Sequence, residues 1–402
     1  MVSTGTWGER RLAVSVKPGS FTVEVSPPGE AVQVVSYDHA GRLWSVLFEG
    51  VTYRRALDGR MLAKWRPPGQ PRQRRWLHPP ETHAIEERAR QLLRDLAQAL
   101  QNGEAHLHPP LSPLGQRTLQ RALAFDAQAD AQRFAQVYRP IGILPPDQYL
   151  ALVLQAAEGC PFNTCTFCTF YRDRPYRVRR PEAFRAHAEA VRAFLGDGLS
   201  IRRGIFLGDA NALVIPTKRL TALLTIAHQV FPEPAFAPVY AFLDGFSGRR
   251  KSAEDYAALA ALGLRRVYIG MESGHGPLLR FLQKPGGPED VLTTVRAIKA
   301  GGVAVGLIIL LGAGGARFAQ AHIRDTVALL NAMPLERKDL LYFSDLVVSP
   351  GMEYARQAAA PDLQPLGFAD LRAQEQAIRQ GLRFPPGQGP RISRYDIREF
   401  VY

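Results

Sequence analysis

The chain has 402 residues, enough for a large hydrophobic core and two or three domains. Hydrophobic residues make up 46% of it, as in soluble globular proteins, and no apolar run is long enough to predict a membrane span. The net charge of +13 admits an anionic partner such as nucleic acid, although a solvated basic surface is the favoured interpretation. The three clustered cysteines and the lack of a signal-peptide pattern together predict a cytoplasmic protein.

Residues 1–62 are predicted to form a small antiparallel β-sheet domain. Branched and aromatic side chains recur there at strand-like spacing, and Pro/Gly turns separate them. The predicted strands are Val14–Val16, Phe21–Val25, Val32–Ser36 and Trp44–Phe48. A further hairpin is expected around Asp58-Gly59.

Residues 63–144 are predicted to be a Pro/Arg-rich linker followed by helices. Residues 64–80 combine basic side chains with many prolines, which favours a solvated connector, and a basic arm that touches RNA or phosphates stays open. Apolar periodicity predicts a helix from about Glu81 to Gln101 and a second helical stretch over Gln116–Phe134.

All three cysteines lie in one loop, at Cys160, Cys165 and Cys168. Thiolates are soft ligands that suit iron–sulfur clusters, zinc or copper(I). A structural zinc site takes four ligands, and a cubane cluster usually takes four cysteines. Three cysteines on a cubane therefore leave one iron open to a small molecule. A zinc site completed by a histidine, or three incidental buried thiols, are the alternatives.

The loop resembles the cluster loop of the radical SAM (S-adenosylmethionine) enzymes, whose usual pattern is C-x3-C-x2-C with an aromatic residue before the last cysteine. Phe167 stands at the aromatic position, and four residues rather than three separate Cys160 from Cys165. A loop readily accommodates one inserted residue. The resemblance implies that the three cysteines hold a 4Fe–4S cluster and that SAM chelates its fourth iron.

Residues 145–355 are predicted to form the core, because apolar strands alternate there with helix-like segments, as in βα units. The predicted strands are Leu150–Leu154, Gly204–Leu207, Val239–Leu243, Val267–Gly270, Val305–Leu311 and Leu340–Val348. The predicted helices are Pro181–Phe194, Thr217–Val230, Ser252–Ala261, Pro288–Ala300 and Ala319–Met333. Six such units match the partial (β/α)6, TIM-like barrel of the radical SAM enzymes, an α/β fold whose chemistry lies at the carboxyl ends of the strands.

Residues 356–402 are predicted to be a C-terminal helix and a docking tail. Apolar and aromatic side chains continue to Tyr402, which a frayed terminus would not need.

The resemblance also assigns SAM-binding residues at the strand ends. Gly208 and Asp209 fall loosely where the family has a G-G-E-like run that holds the SAM amino group. Glu272 and Ser273 match a G-x-E-S-G segment that reaches the ribose and the amino end. A plain strand-to-helix turn is the alternative for Asp209, and a buried structural acid is the alternative for Glu272.

Three further residues are assigned to SAM on weaker grounds. Arg177 and Arg179 are candidates for pairing with the SAM carboxylate, because a guanidinium binds a carboxylate with two parallel bonds. A basic solvated loop explains them equally well. Val347 is a candidate cover for adenine, with core packing as the alternative.

The function implied by the resemblance is reductive cleavage of SAM at a 4Fe–4S cluster, which generates a 5′-deoxyadenosyl radical. The electron would come from a reductant such as flavodoxin or ferredoxin. The substrate is unidentified and expected to be a small molecule, and the arginines beside the loop leave an anionic one open. The alternatives are a tRNA- or RNA-modifying radical SAM enzyme and a non-catalytic metal-binding or nucleic-acid-binding protein. No cysteines remain for an auxiliary cluster, and no cobalamin-binding domain is apparent.

Overall fold

The computed structural model describes residues 1–70, 72–349, 351–359 and 363–402, and the chain divides into two compact units. Unit 1 contains Met1–Pro140, Ala190–Arg203 and Val401–Tyr402. Unit 2 contains Ile141–Glu189 and Gly204–Phe400. Parts of the predicted linker, core and tail, namely residues 71, 350 and 360–362, lie outside the described residues.

Unit 1 is built on a nine-stranded antiparallel sheet. Its strands are β1 (Val2–Trp7), β2 (Arg10–Lys17), β3 (Ser20–Ser26), β4 (Gln33–Tyr37), β5 (Leu43–Phe48), β6 (Val51–Arg55), β7 (Met61–Trp65), β8 (Gln73–Trp76) and β9 (Ala105–His108). The order across the sheet is β8-β7-β6-β5-β4-β3-β2-β1-β9, so chain neighbours pair as in a meander. The predicted antiparallel sheet and the hairpin at Asp58-Gly59 are confirmed.

The sheet is larger than the sequence predicted. Gln73–Trp76 was predicted to be linker and is an edge strand that pairs with β7. Its side chains are mostly exposed, so it lacks the apolar alternation by which half-buried strands are recognised. Charged side chains are a common way to protect such an edge from further pairing.

Three helices complete unit 1: α1 (Pro79–Asn102), α2 (Pro113–Ala124) and α3 (Ala127–Val137). Helix α1 packs the buried side chains of Ala89, Leu93 and Leu96 into the core of the sheet. The single predicted helical stretch at 116–134 is wrong, because Asp126 interrupts it. The Asp126 carboxylate accepts hydrogen bonds from the amides of Gln128 and Ala129 at 3.0 and 2.9 Å, which starts α3 as a new helix.

Unit 2 contains a seven-stranded parallel sheet and a short antiparallel ribbon. The strands are β10 (Leu152–Gln155), β11 (Ala157–Glu158), β12 (Arg177–Val178), β13 (Ile205–Gly208), β14 (Val239–Phe242), β15 (Leu264–Glu272), β16 (Ala304–Leu311), β17 (Leu340–Asp345) and β18 (Arg391–Tyr395). Strands β11 and β12 form the ribbon. The parallel sheet has the order β10-β13-β14-β15-β16-β17-β18.

Helices alternate with these strands along the chain. They are α4 (Pro181–Leu195), α5 (Thr217–Val230), α6 (Gly245–Gly248), α7 (Ala253–Ala261), α8 (Gly276–Phe281), α9 (Pro288–Ala300), α10 (Gly315–Asn331), α11 (Glu353–Gln357) and α12 (Phe368–Gly381). Each strand of the sheet lies beside the next one in the chain, which is the winding of a TIM-like partial barrel. The predicted α/β fold class is therefore confirmed.

The seventh strand comes from the C-terminal segment. Strand β18 pairs in parallel with β17, from Leu340 opposite Arg391 to Ser344 opposite Tyr395. This pairing gives the parallel sheet a seventh strand, where the sequence predicted only six. Across residues 1–70, 72–349, 351–359 and 363–402, no helix combines the length and the apolar character needed to cross a bilayer.

Candidate active site

A cavity of about 420 Å³ lies at the carboxyl ends of the parallel strands in unit 2. Because the carboxyl ends of parallel strands meet at one edge, side chains from distant parts of the chain converge there. The strands contribute Phe242, Gly270, Glu272, Ile308, Leu310, Tyr342, Ser344, Asp345 and Tyr395. Aromatic and aliphatic groups predominate in the lining, as in small-molecule sites of this size.

The three cysteines share this cavity. Cys160, Cys165 and Cys168 all line it, together with the predicted Phe167. Burial raises the pKa of the Cys168 thiol to about 11 and also raises that of Cys165. The thiolate is the form that binds metals, so uptake of iron at this loop would release protons.

Hydrogen bonds to neighbouring elements fix the backbone of the cysteine loop. The Thr166 amide donates to the carbonyl of Leu282 at 3.0 Å, and the Tyr354 amide donates to the carbonyl of Thr166 at 3.0 Å. The Arg172 guanidinium donates to the carbonyls of Cys165 and Cys168, both at 3.0 Å. The loop is thus held from several sides while its thiols face the cavity.

The start of the loop depends on Gly159. Its φ of +76° is a left-handed conformation, and a Cβ there would approach the Pro175 carbonyl oxygen to 2.8 Å. The Gly159 amide donates to the Asp209 carboxylate at 3.2 Å. Only glycine allows both the left-handed conformation and the close approach to Pro175 without displacing the chain.

Asp209 lies beneath the loop and does not line the cavity, and neither does Gly208. The Asp209 carboxylate accepts hydrogen bonds from the Gln155 side chain at 3.0 Å and from Gly159. Burial raises the pKa of Asp209 to about 6, against the effect of the Gln155 hydrogen bond. The structure therefore places this carboxylate where it supports the cysteine loop, and not where the sequence predicted a SAM contact.

Glu272 does line the cavity, at the end of β15. Its φ of +59° is unusual for a residue other than glycine, and it turns the side chain back over Gly270. The Lys284 ammonium lies 3.3 Å from its carboxylate, and both side chains are largely buried. Burial raises the pKa of Glu272, which Lys284 opposes.

Ser273 points away from the cavity. Its hydroxyl lies 2.7 Å from Nδ1 of His322 and accepts a hydrogen bond from the His275 amide at 2.9 Å. Successive residues at a strand end face opposite sides, so Glu272 enters the cavity while Ser273 packs against α10. The predicted contact of Ser273 with the ribose is not supported by this position.

Arg177 and Arg179 are also not among the residues that line the cavity. Arg177 is exposed on the β11–β12 ribbon, opposite Glu158. The Arg179 guanidinium pairs with the Glu158 carboxylate at 2.8 Å. Val347, in contrast, lines the cavity as predicted for an adenine cover.

Three side chains in the cavity were not predicted from the sequence, one from a loop and two from the tail. Lys284 follows α8 in a turn, where periodicity carries no functional signal. Tyr395 and Arg398 reach the cavity from the tail. Pairing of β18 with β17 places them there, and no local pattern in the sequence announces that pairing.

The residues present fit a cluster on chemical grounds. Three soft thiol ligands on one loop face one cavity, and the thiol set leaves room for a small ligand at the fourth iron. Within the described part of the chain, no three Cys, His, Asp or Glu side chains are already gathered as a metal-binding group.

Replacement of Gly159 by alanine is expected to lower stability by about 1–3 kcal/mol, from left-handed backbone strain and the clash with Pro175. Gly302→Ala is a matched control, because Gly302 has φ +77° and open space around it. Urea unfolding of both variants measures the difference, and bound iron after reconstitution reports on the loop. Equal losses in the two variants would show that the close approach to Pro175 has no energetic weight.

Residues 154–317 match the profile of the Radical SAM superfamily. Residues 154–317 are therefore a radical SAM domain, and the enzymes of this superfamily use a 4Fe–4S cluster and SAM. A comparison with curated protein sequences finds no match.

Several solved structures are similar to this chain. Coproporphyrinogen III oxidase HemN from Escherichia coli, a radical SAM enzyme, is 14% identical over 64% of this chain and 57% of its own, with a TM-score of 0.43. Methylornithine synthase PylB is 14% identical over 58% of this chain and 63% of its own, with a TM-score of 0.40. A third structure is the radical SAM methyltransferase TsrM from Kitasatospora setae, bound to cobalamin and a [4Fe-4S] cluster. It is 19% identical over 59% of this chain and 50% of its own, with a TM-score of 0.39. The chain thus spans between half and two thirds of the length of these three proteins.

Proposed function

We propose that this protein cleaves SAM reductively and uses the resulting radical on a small-molecule substrate. The observation that carries the proposal is the position of Cys160, Cys165 and Cys168, whose thiols line one cavity at the carboxyl ends of the parallel strands. The chemistry that a 4Fe–4S cluster supplies when bound is one-electron cleavage of SAM to methionine and a 5′-deoxyadenosyl radical.

The chain's own residues would hold the cofactors and keep water out. The three thiolates bind the cluster, and Phe167 covers its side of the cavity. Glu272 would offer a carboxylate to the ammonium or ribose hydroxyls of SAM, and its buried partner Lys284 favours the ionised form. Val347 supplies an apolar contact for the adenine ring.

The size and lining of the cavity support a small-molecule substrate. A volume of about 420 Å³ and an apolar lining are typical of sites for small ligands. Aromatic rings at Phe242, Tyr342 and Tyr395 line the part that the strands provide. Exclusion of water there protects a reactive radical from side reactions.

The test is anaerobic reconstitution with iron and sulfide, followed by SAM and dithionite. We expect about four irons per chain and formation of 5′-deoxyadenosine, measured by chromatography. A metabolite fraction should stimulate this formation more than an RNA fraction does. Stimulation by RNA alone would replace the small-molecule substrate with an RNA-modifying activity. Stoichiometric zinc without deoxyadenosine under any reductant would overturn the proposal and favour a metal-binding protein.

A further inference from the structure

Two arginines in unit 1 are stacked on aromatic rings and lie close to each other. The Arg54 guanidinium carbon is 4.3 Å from the ring centre of Trp44, and that of Arg202 is 4.5 Å from the ring centre of Tyr402. Arg54 is half-buried, and Arg202 is only 6% exposed. One face of each guanidinium group is therefore covered by an aromatic ring.

Neither guanidinium donates a hydrogen bond or forms an ion pair within the part of the chain that the structure describes. Nε of Arg202 is fully buried in this state. Buried polar groups are nearly always paired, so each exception requires a physical reason.

A neighbouring arginine shows what a structural role looks like in the same unit. Arg42 is equally buried, and its guanidinium donates to Asp130 at 2.9–3.1 Å, to the Leu195 carbonyl at 2.9 Å and to the Phe194 carbonyl at 2.5 Å. Unit 1 therefore satisfies the buried Arg42 completely, whereas the buried Arg202 and the half-buried Arg54 have no acceptor among the described residues.

The two unsatisfied arginines also repel each other. Burial and, to a smaller extent, the positive charge of Arg202 together lower the pKa of Arg54 to about 10. The buried Asp38 carboxylate responds to the charge of Arg202, but it forms its ion pair with Arg42, at 3.6 Å. Two desolvated like charges are costly to hold together unless an anion lies between them.

We propose that Arg54 and Arg202 form a binding site for a phosphate group. Guanidinium groups donate two parallel hydrogen bonds to phosphate oxygens, and stacking on Trp44 and Tyr402 fixes the direction of those donors in advance. The anion would supply the acceptors that the protein itself does not. All four residues belong to unit 1, so this site does not depend on the function proposed for unit 2.

The phosphate can belong to a nucleic-acid backbone or to a small phosphorylated molecule. Cross-strand pairing places Lys64 opposite Arg74. It also places Arg54 and Trp76 on either side of the same residue of β7. These side chains therefore share one face of β6–β8, where Arg60 stacks on Trp76 at 4.7 Å. Residues 54–76 contain eight Arg or Lys residues and one Asp. Basic and aromatic groups on one face are typical of single-stranded nucleic-acid sites.

The test uses the full chain and two probes, inorganic phosphate and a fluorescent twelve-nucleotide oligouridylate. We expect phosphate to raise the melting temperature relative to chloride at equal ionic strength. Arg54→Gln should remove this shift and weaken oligouridylate at least tenfold, whereas Arg54→Lys should retain part of both. Arg296→Gln, an exposed charge change on α9, is the matched control and should leave both effects intact. Arg202→Gln is the second variant, with the same expected losses.

The outcomes separate the two sources of phosphate. If oligouridylate binds far more tightly than phosphate, and its affinity falls steeply as the salt concentration rises, the site is assigned to nucleic acid. Equal affinity for phosphate and oligouridylate assigns it to a small phosphorylated ligand. A melting temperature that responds equally to phosphate and chloride, or equally in wild type and Arg54→Gln, overturns the proposal.

Discussion

Replacement of Cys165 by alanine is expected to abolish iron–sulfur incorporation and to lower formation of 5′-deoxyadenosine by more than about a hundredfold. The reason is that two thiolates cannot hold a cluster that already uses only three protein ligands. The backbone of the loop is fixed by hydrogen bonds of Thr166 and Arg172 that do not involve the thiol, so the fold should survive. Iron content, visible absorption and chromatography of the products measure the effect.

Cys160→Ala and Cys168→Ala should behave in the same way, because all three thiols line one cavity. Thr225→Ala, on the exposed face of α5, is the control and should retain iron and activity. Full iron content in any one of the cysteine variants would remove that residue from the ligand set.

Replacement of Glu272 by alanine is expected to destabilise unit 2 by about 3–5 kcal/mol, because it leaves the buried Lys284 ammonium without its partner. Lys284→Met should cost less. Burial already raises the pKa of Glu272, so this carboxyl group can take up a proton once the ammonium is gone. The double variant, Glu272→Ala with Lys284→Met, leaves no unpaired ammonium. It should therefore be more stable than Glu272→Ala alone.

Urea unfolding of the two single variants and the double variant gives the coupling energy of the pair. Glu336→Ala is the control, because Glu336 is mostly exposed and its partner Lys299 keeps a second carboxylate in Asp339. This control should lose less than about 1 kcal/mol. A loss as small as this in Glu272→Ala would show that Lys284 reaches solvent when its partner is removed.

The parts of the site that could be predicted from the sequence are those encoded within a few residues. The spacing of Cys160, Cys165 and Cys168 with Phe167 is local, and the strand that leads into the loop fixes which way it faces. Glu272 was predicted to contact SAM, and it lines the cavity because it ends a strand. Its pairing with Lys284 was not predicted, because the segment between α8 and α9 brings the lysine back.

Other predicted SAM contacts lie outside the cavity lining, because hydrogen-bond partners elsewhere fix their position. Asp209 also ends a strand, yet the Gly159 amide and the Gln155 side chain hold it beneath the loop. Ser273 follows Glu272 and therefore faces α10, where His322 binds it. Strand β18 could not be read from its own residues, since it exists only through pairing with β17.

The position of β18 also sets an order of assembly during protein synthesis. The ribosome releases the thiol loop long before Arg391–Tyr395, and domains fold as their residues emerge. The wall that Tyr395 and Arg398 provide is therefore added last. Until then, the cavity lacks the residues that the C-terminal segment contributes to its wall.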